Sequence, residues 1–119
     1  MQELKEIIRD IGDKLDNAEM YAKEAVKHKT QYPSLAGGYC RIAQDDLSHV
    51  DMLHKQAVDM IGEKQRSGVS VPPAMQAVWD YEHEKQIEDA ADVRRLIELV
   101  QKRVYETSGF TLEPEVRIW

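Results

Sequence analysis

The chain has few of the residues that interrupt or cross-link a polypeptide. Its 119 residues include one cysteine, six glycines and four prolines, and aromatic residues make up only 7%. A lone cysteine excludes a disulfide within the chain, and sparse glycine and proline leave long stretches free to form helices. No apolar run approaches the roughly 20 residues that cross a bilayer, and the first ten residues lack a signal-peptide core. We therefore expect a cytoplasmic protein that does not contact a membrane.

Positively charged residues are fewer than negatively charged ones. The chain has 16 Lys and Arg against 22 Asp and Glu, which gives a formal net charge of -6. Binding to nucleic acid relies on clustered Lys and Arg, so a nucleic-acid partner is not expected. A cation is the more natural ligand for such a surface. With 42% hydrophobic residues, the composition is typical of one globular domain, which we expect to span 1–119.

Apolar residues recur every three or four positions along three segments. The first segment covers about 3–29, and Pro33, which suits the first turn of a helix, indicates a second helix over about 34–66. A connection rich in Ser, Gly and Pro follows, and a third helix is predicted over about 73–107. The last residues, 108–119, have an extended pattern. The sequence therefore predicts an all-α antiparallel bundle of three long helices.

Helices of this length are long for a chain of 119 residues. Each would extend roughly 40 to 50 Å at 1.5 Å per residue. Three such helices leave apolar faces uncovered, so we expect the bundle to be completed by homo-oligomerisation, as a dimer or higher. Phe110, Ile118 and Trp119 are candidate anchors in the tail.

A carboxylate occupies the middle of the apolar stripe that we predict for the second helix. The stripe consists of Tyr39, Ala43, Asp46, Val50, Leu53, Ala57 and Met60. An ionised carboxylate there costs several kcal/mol unless it is paired or bound to a metal. His49 lies one turn from Asp46 on the same face. With the turn placed near residue 32, Glu19 on the first helix would lie at the same height as Asp46.

The third helix adds polar residues to its inward side, namely Glu82, Gln86 and Asp89. Simple antiparallel register places Asp89 close to Asp46. Carboxylates and an imidazole on facing helices suit iron, manganese or zinc. The candidate metal ligands are then Glu19, Asp46, His49, Glu82 and Asp89. Alternatively, the polar residues of the third helix pair with Arg94, Arg95 or a partner chain and fix the register of the helices.

A family resemblance covers about residues 15 to 61. The stretches LDNAEMYAKEAVKHK and GYCRIAQDDLSHVDMLHKQAVDMI resemble the first two helices of ferritin-like proteins, especially rubrerythrins and encapsulated ferritins. The matching ligands of that family are Glu19 and the pair Asp46 and His49, and the likeness favours Glu82 on the third helix. The resemblance implies iron as the cofactor and oxidation of ferrous iron by oxygen or peroxide. Because the second Glu-x-x-His of the family is missing, it also implies half a site per chain and a homodimer.

Two functions remain open from the sequence. The first is a ferritin-like metal-binding protein with oxidase or ferroxidase activity in a dimer. The second is a non-enzymatic helical structural or assembly protein, bacterial or phage, whose acidic seam fixes helix register. A weaker third reading is an adaptor that lends one amphipathic helix to another protein. Nucleophilic catalysis has no support, since Cys40 has no evident base, and we expect His54 and His83 to be half-exposed packing residues.

Overall fold

The computed structural model describes the backbone of residues 2–108 and the side chains of residues 2–105. Within this range the chain has three helices and no strand: α1 (Gln2–His28), α2 (Pro33–Arg66) and α3 (Pro73–Ser108). The prediction of an all-α protein with three long helices is confirmed, and the helix ends lie within one residue of the predicted positions. No helix in the described range is both long enough and apolar enough to span a membrane. The predicted extended tail and its anchors Phe110, Ile118 and Trp119 lie outside the described residues.

A short turn joins α1 to α2. The backbone N–H of Tyr32 donates to the carbonyl of His28 at 2.8 Å, and the carbonyl of Tyr32 accepts from Ala36 at 3.0 Å. Pro33 is the first residue of α2, where a missing N–H costs nothing because that group has no partner inside a helix. The two helices therefore run antiparallel as a hairpin.

Gly68 ends α2 in a Schellman motif. Its φ is 81°, a left-handed conformation that glycine adopts without steric cost. The N–H of Val69 donates to the carbonyl of Lys64 at 2.9 Å, and the N–H of Gly68 donates to Gln65 at 3.2 Å. These bonds satisfy carbonyls that the helix end leaves open. The chain then turns back within residues 67–72, and α3 runs antiparallel to α2.

Small side chains allow α1 and α2 to approach closely near their turn. The alanines of this end are fully buried, namely Ala18, Ala22, Ala25, Ala36 and Ala43. Larger apolar residues of α3 are buried at the same end of the bundle, including Val100 and Val104. At the other end, Leu4 and Ile11 of α1 share the core with Trp79. The hairpin thus forms the larger interface, and α3 packs on one side of it against both helices.

The buried face of α2 differs from the predicted stripe. Its buried residues are Ala36, Gly37, Cys40, Ala43, Leu47, Val50 and Ala57. Ala43, Val50 and Ala57 belong to both sets, whereas Asp46 lies at the margin of the buried face. The physical reason is that α2 contacts two helices, so two seams with a seven-residue period overlap in its sequence. The seam that contains Leu47 faces α3, and the seam that contains Asp46 lies at the outer edge of the contact with α1.

Candidate functional site

Asp46 lies beside a lysine. Its Oδ1 is 4.0 Å from the Nζ of Lys14 on α1 and 4.0 Å from the Nδ1 of His49 one turn along α2. The Asp46 side chain is 13% exposed, whereas that of His49 is 51% exposed. The Asp46 carboxylate therefore has the Lys14 ammonium as a positively charged neighbour at the margin of the core. The His49 imidazole points largely to solvent. Sequence reasoning missed Lys14, although its seven-residue spacing from Ile7 and Tyr21 is a signal that it shares their face.

Glu19 does not join Asp46. It is exposed and pairs with Lys23 on its own helix, with 3.1 Å between Nζ and Oε1. At about 100° per residue, Glu19 lies roughly 140° around α1 from Lys14. The contact of Lys14 with Asp46 also sets the hairpin register, which leaves Glu19 about 7 to 8 Å along the axis from the level of Asp46. The predicted height match fails because the turn is centred earlier than residue 32.

The carboxylates of α3 are half-buried and stay apart from Asp46. The contact between His54 and Gln86 sets the register of α2 against α3. On that register Asp89 lies more than one helical turn from the level of Asp46, and Glu82 lies further away. The structure gives neither carboxylate an ion pair with another side chain of residues 2–105.

The arginines of α3 form pairs other than those we predicted. Arg94 lies 4.0 Å from Asp51 of α2, and Arg95 pairs with Asp92 on its own helix. All four side chains are more than half exposed. Exposed pairs of this kind contribute about 0 to 1 kcal/mol, so they are weak determinants of register.

The predicted metal site is not assembled. Among the described side chains, no group of three or more His, Cys, Asp or Glu residues could hold a metal ion. The predicted ligands divide into the Asp46 and His49 pair, the exposed Glu19, and two separate carboxylates on α3. The predicted carboxylate and histidine site is therefore not formed within the described part of one chain, and binding of iron, manganese or zinc by a dimer stays a prediction.

Gln86 is the polar centre of the bundle. The residue is 3% exposed, and it is the one buried polar residue among those described. Its Oε1 accepts a hydrogen bond from the Nε2 of His54 at 3.3 Å, and its Nε2 donates to the backbone carbonyl of Ile8 at 3.4 Å. The amide thus connects α3 to both helices of the hairpin. No buried side-chain nitrogen or oxygen in residues 2–105 lacks a partner.

The sequence placed Gln86 on the inward side of α3 but did not separate it from its neighbours. A usable signal was its chemistry, because a neutral amide costs far less to bury than a carboxylate. That difference favours Gln86 over Glu82 and Asp89 for the buried position, as observed.

Aromatic rings surround the Gln86 contact. The His54 and His83 rings lie 4.8 Å apart between centroids, and Trp79 stacks on His83 at 5.0 Å. Burial lowers the pKa of His54 below its usual value of 6.5. The hydrogen bond with Gln86 and the charge of Asp51 oppose that shift, whereas His83 adds to it. A neutral His54 is the form this environment favours.

Cys40 is a buried thiol. Its side chain is 1% exposed, and burial raises its pKa from 9.0 to about 11. A thiol rather than a thiolate is therefore present near neutral pH, and a thiol is a poor nucleophile.

Residues 83–119 match the family model for the C-terminal domain of UDP-N-acetylenolpyruvoylglucosamine reductase. The match covers less than a third of the chain, and its described part, 83–108, lies within α3. No curated protein and no solved structure matches the chain. The matched family is not a ferritin-like one, so the resemblance to rubrerythrins and encapsulated ferritins is overturned. The iron chemistry implied by that resemblance loses its basis.

Proposed function

We propose that this chain is a non-enzymatic, cytoplasmic helical structural protein that self-associates and in which a buried polar residue fixes the register of the helices. The observation that carries the proposal is the position of Gln86. One buried amide binds the ring of His54 on α2 and the backbone of Ile8 on α1. A single side chain therefore sets the axial position of α3 against both other helices.

Sliding α3 along the hairpin would remove both hydrogen bonds at once. A buried amide without partners costs about 1 to 3 kcal/mol for each group left unsatisfied. Apolar contacts discriminate less between registers, because one apolar turn can replace another. A single buried polar residue is a known means of selecting one register in helical assemblies, at some expense of stability.

The charged groups near the interior also support a structural role. Asp46 lies beside Lys14, and the nearest thiol, Cys40, is buried and protonated. The helices meanwhile expose large apolar side chains, among them Leu35, Ile42, Met52 and Val58. Leu35 and Ile42, seven residues apart, share one side of α2, and contiguous exposed apolar surface is typical of sites that bind other proteins.

The first test is the mass of the full chain in solution. We expect light scattering and native mass spectrometry, between about 1 µM and 1 mM protein, to show a dimer or higher oligomer that dissociates on dilution. A monomer at every concentration would contradict self-association. Protein that binds iron in a fixed ratio, and loses it in His49→Ala, would contradict the structural role.

The second test concerns register. We expect Gln86→Leu to lower thermal stability less than Gln86→Ala does, because leucine keeps most of the buried volume although it leaves the Nε2 of His54 without its partner. Its amide NMR spectrum should show additional or broadened signals from α3, since more than one register becomes accessible. Gln65→Leu, at an exposed position near the end of α2, is the matched control and should keep a single set of signals. A single set of sharp amide signals in Gln86→Leu would show that apolar packing alone sets the register of α3.

A further inference from the structure

One side of the α1 and α2 hairpin consists of three regular layers that α3 does not cover. Tyr21 stacks on Tyr39 and Lys14 lies beside Asp46, and the register that these pairs set places Ile7 level with Leu53; we call these six residues the open face. Successive layers are seven residues apart on each helix, which is about 10.5 Å. The two tyrosine rings are stacked with 5.9 Å between centroids, and Lys14 lies 4.0 Å from Asp46.

The buried amide of α3 makes its contacts outside the open face. Gln86 of α3 binds Ile8 and His54, each of which follows an open-face residue by one position. One position is about 100° around a helix. On α2 the side chain that contacts α3 therefore points about 100° away from the open-face row, and on α1 the carbonyl that Gln86 binds belongs to a residue outside that row.

The open face is apolar at both ends and charged in the middle. Its tyrosines, Ile7 and Leu53 are half-buried and pack against the core. Exposed apolar residues continue the surface along α2, with Leu35 at 46%, Ile42 at 42% and Met52 at 61% exposed. A shallow depression beside the middle layer is lined by Lys14, His49, Met52, Leu53 and Gln56. A partner for this surface must supply apolar groups at both ends and both signs of charge at the centre.

We propose that a second copy of this chain docks on the open face, about a two-fold axis parallel to the helices, so that each α1 lies over α2 of the partner. This inference rests on the self-association proposed above and names its surface. Under this symmetry Lys14 faces the partner's Asp46, and Asp46 faces the partner's Lys14. The four charges then alternate in sign around the middle layer.

Two different two-fold axes would bring two open faces together, and the charges favour the axis that is parallel to the helices. A two-fold axis in the interface but perpendicular to the helices would place Lys14 over the partner's Lys14. Like charges so arranged oppose association. The parallel axis instead places each layer of the open face against the same layer of the partner. Tyrosines then lie near tyrosines, and aliphatic side chains lie near aliphatic side chains. The two hairpins would then form a four-helix arrangement in which neighbouring helices are antiparallel, with one α3 on each outer side.

The experiment that tests this interface reverses the charges of the middle layer, Lys14 and Asp46. Lys14→Asp makes the layer wholly negative, and Asp46→Lys makes it wholly positive, so each variant should repel its own copies. We expect each alone to dimerise at least about tenfold more weakly than the wild-type chain. A 1:1 mixture of the two should form heterodimers with an affinity within about threefold of the wild type. Lys5→Asp is the control, because Lys5 is exposed about 180° around α1 from Lys14.

A second measurement tests the axis. A mixture of Ile7→Cys and Leu53→Cys chains should form a disulfide between chains under mild oxidation, because the two positions lie at one level across the proposed interface. Cross-linking between Ile7→Cys and Tyr21→Cys chains in its place would overturn the parallel axis. Cys40 is buried and should not compete.

The outcomes separate this inference from the proposed function. If the wild type is oligomeric and the charge variants associate equally well, the open face is not the interface. Self-association itself would still hold. A monomeric wild type overturns both. Dimerisation that appears only in a Trp119→Asp chain would instead assign the open face to the chain's own last residues. Circular dichroism checks folding, and if Asp46→Lys unfolds, the comparison of Lys14→Asp with Lys5→Asp still decides the result.

Discussion

His54 of α2 and His83 of α3 meet with their ring planes at 73° and their centroids 4.8 Å apart. The amide oxygen of Gln86 can only accept, so the Nε2 of His54 donates to it and the Nδ1 is the site where a proton would add. Added charge there would be partly desolvated and close to a second imidazole. The contact between α2 and α3 therefore contains a group that resists protonation.

We predict that acid weakens the protein through His54. Because the folded state lowers its pKa below 6.5, the unfolded chain binds more protons, and stability falls as the pH drops from about 6.5 towards the folded pKa. The titratable groups that act on His54 are His83 of α3 and Asp51 of its own helix, and Gln86 and Trp79 of α3 lie against its ring. Urea unfolding at pH 7.5 and pH 5.0 should show a larger loss in midpoint for the wild type than for His54→Gln.

The matched control is His49→Gln, at an exposed imidazole on the same helix. Its acid loss should exceed that of His54→Gln, because the contact between His54 and Gln86 stays intact. Fluorescence of Trp79 in a Trp119→Phe chain gives an independent reading, because protonation of an adjacent imidazole changes its emission. Equal acid losses in the wild type and His54→Gln would refute this role of His54.

Removing the buried amide without replacing its volume should be costly. Gln86→Ala loses two hydrogen bonds and leaves a gap between three helices, so we expect it to lower the free energy of unfolding by about 2 to 4 kcal/mol. Gln65→Ala, at an exposed position, should change it by less than about 0.5 kcal/mol. Chemical denaturation at pH 7.5 measures both, and similar values for the two variants would show that Gln86 contributes little.

The alanine contact between α1 and α2 should not accept larger side chains. Ala22 is fully buried, and leucine there would push the helices apart or force strained rotamers, at a cost of about 1 to 3 kcal/mol or more. Ala77→Leu, at an exposed position of α3, is the control and should lie within about 0.5 kcal/mol of the wild type. A thermal midpoint unchanged by Ala22→Leu would mean that the helices separate easily.

Cys40 should report unfolding rather than surface reactivity. Its burial and its pKa of about 11 keep the thiolate scarce and inaccessible, so a disulfide reagent at pH 8 should label the folded chain far more slowly than the chain in urea. The labelling rate should rise with urea in proportion to the open population. Fast labelling without denaturant would place the thiol at the surface.

The ends of the helices could be predicted because their signals are local. Pro33, Gly68 and Pro73 each restrict the backbone at their own position, whatever the rest of the chain does. The all-α class follows in the same way from the spacing of apolar residues. These features depend on no contact between distant segments.

The interior could not be predicted to the same extent, because it depends on the packing of α2 against two helices. The seams containing Asp46 and Leu47 are offset by one residue, and each continues for the length of the helix. The position of α3 decides which seam is central, and the spacing of apolar residues along α2 does not indicate that position. A turn that is predicted a few residues too late in the sequence is then enough to place Glu19, wrongly, at the level of Asp46.

The alanines between α1 and α2 also bear on the order in which the chain folds. They lie in the largest of the helix contacts, on either side of a short turn, whereas α3, although its connection to α2 is also short, makes a smaller contact with each of the other helices. Contacts across short loops lose less chain entropy and form sooner. The hairpin should therefore be the first part to become protected from hydrogen exchange during refolding, and α3 the first part to exchange in the native protein.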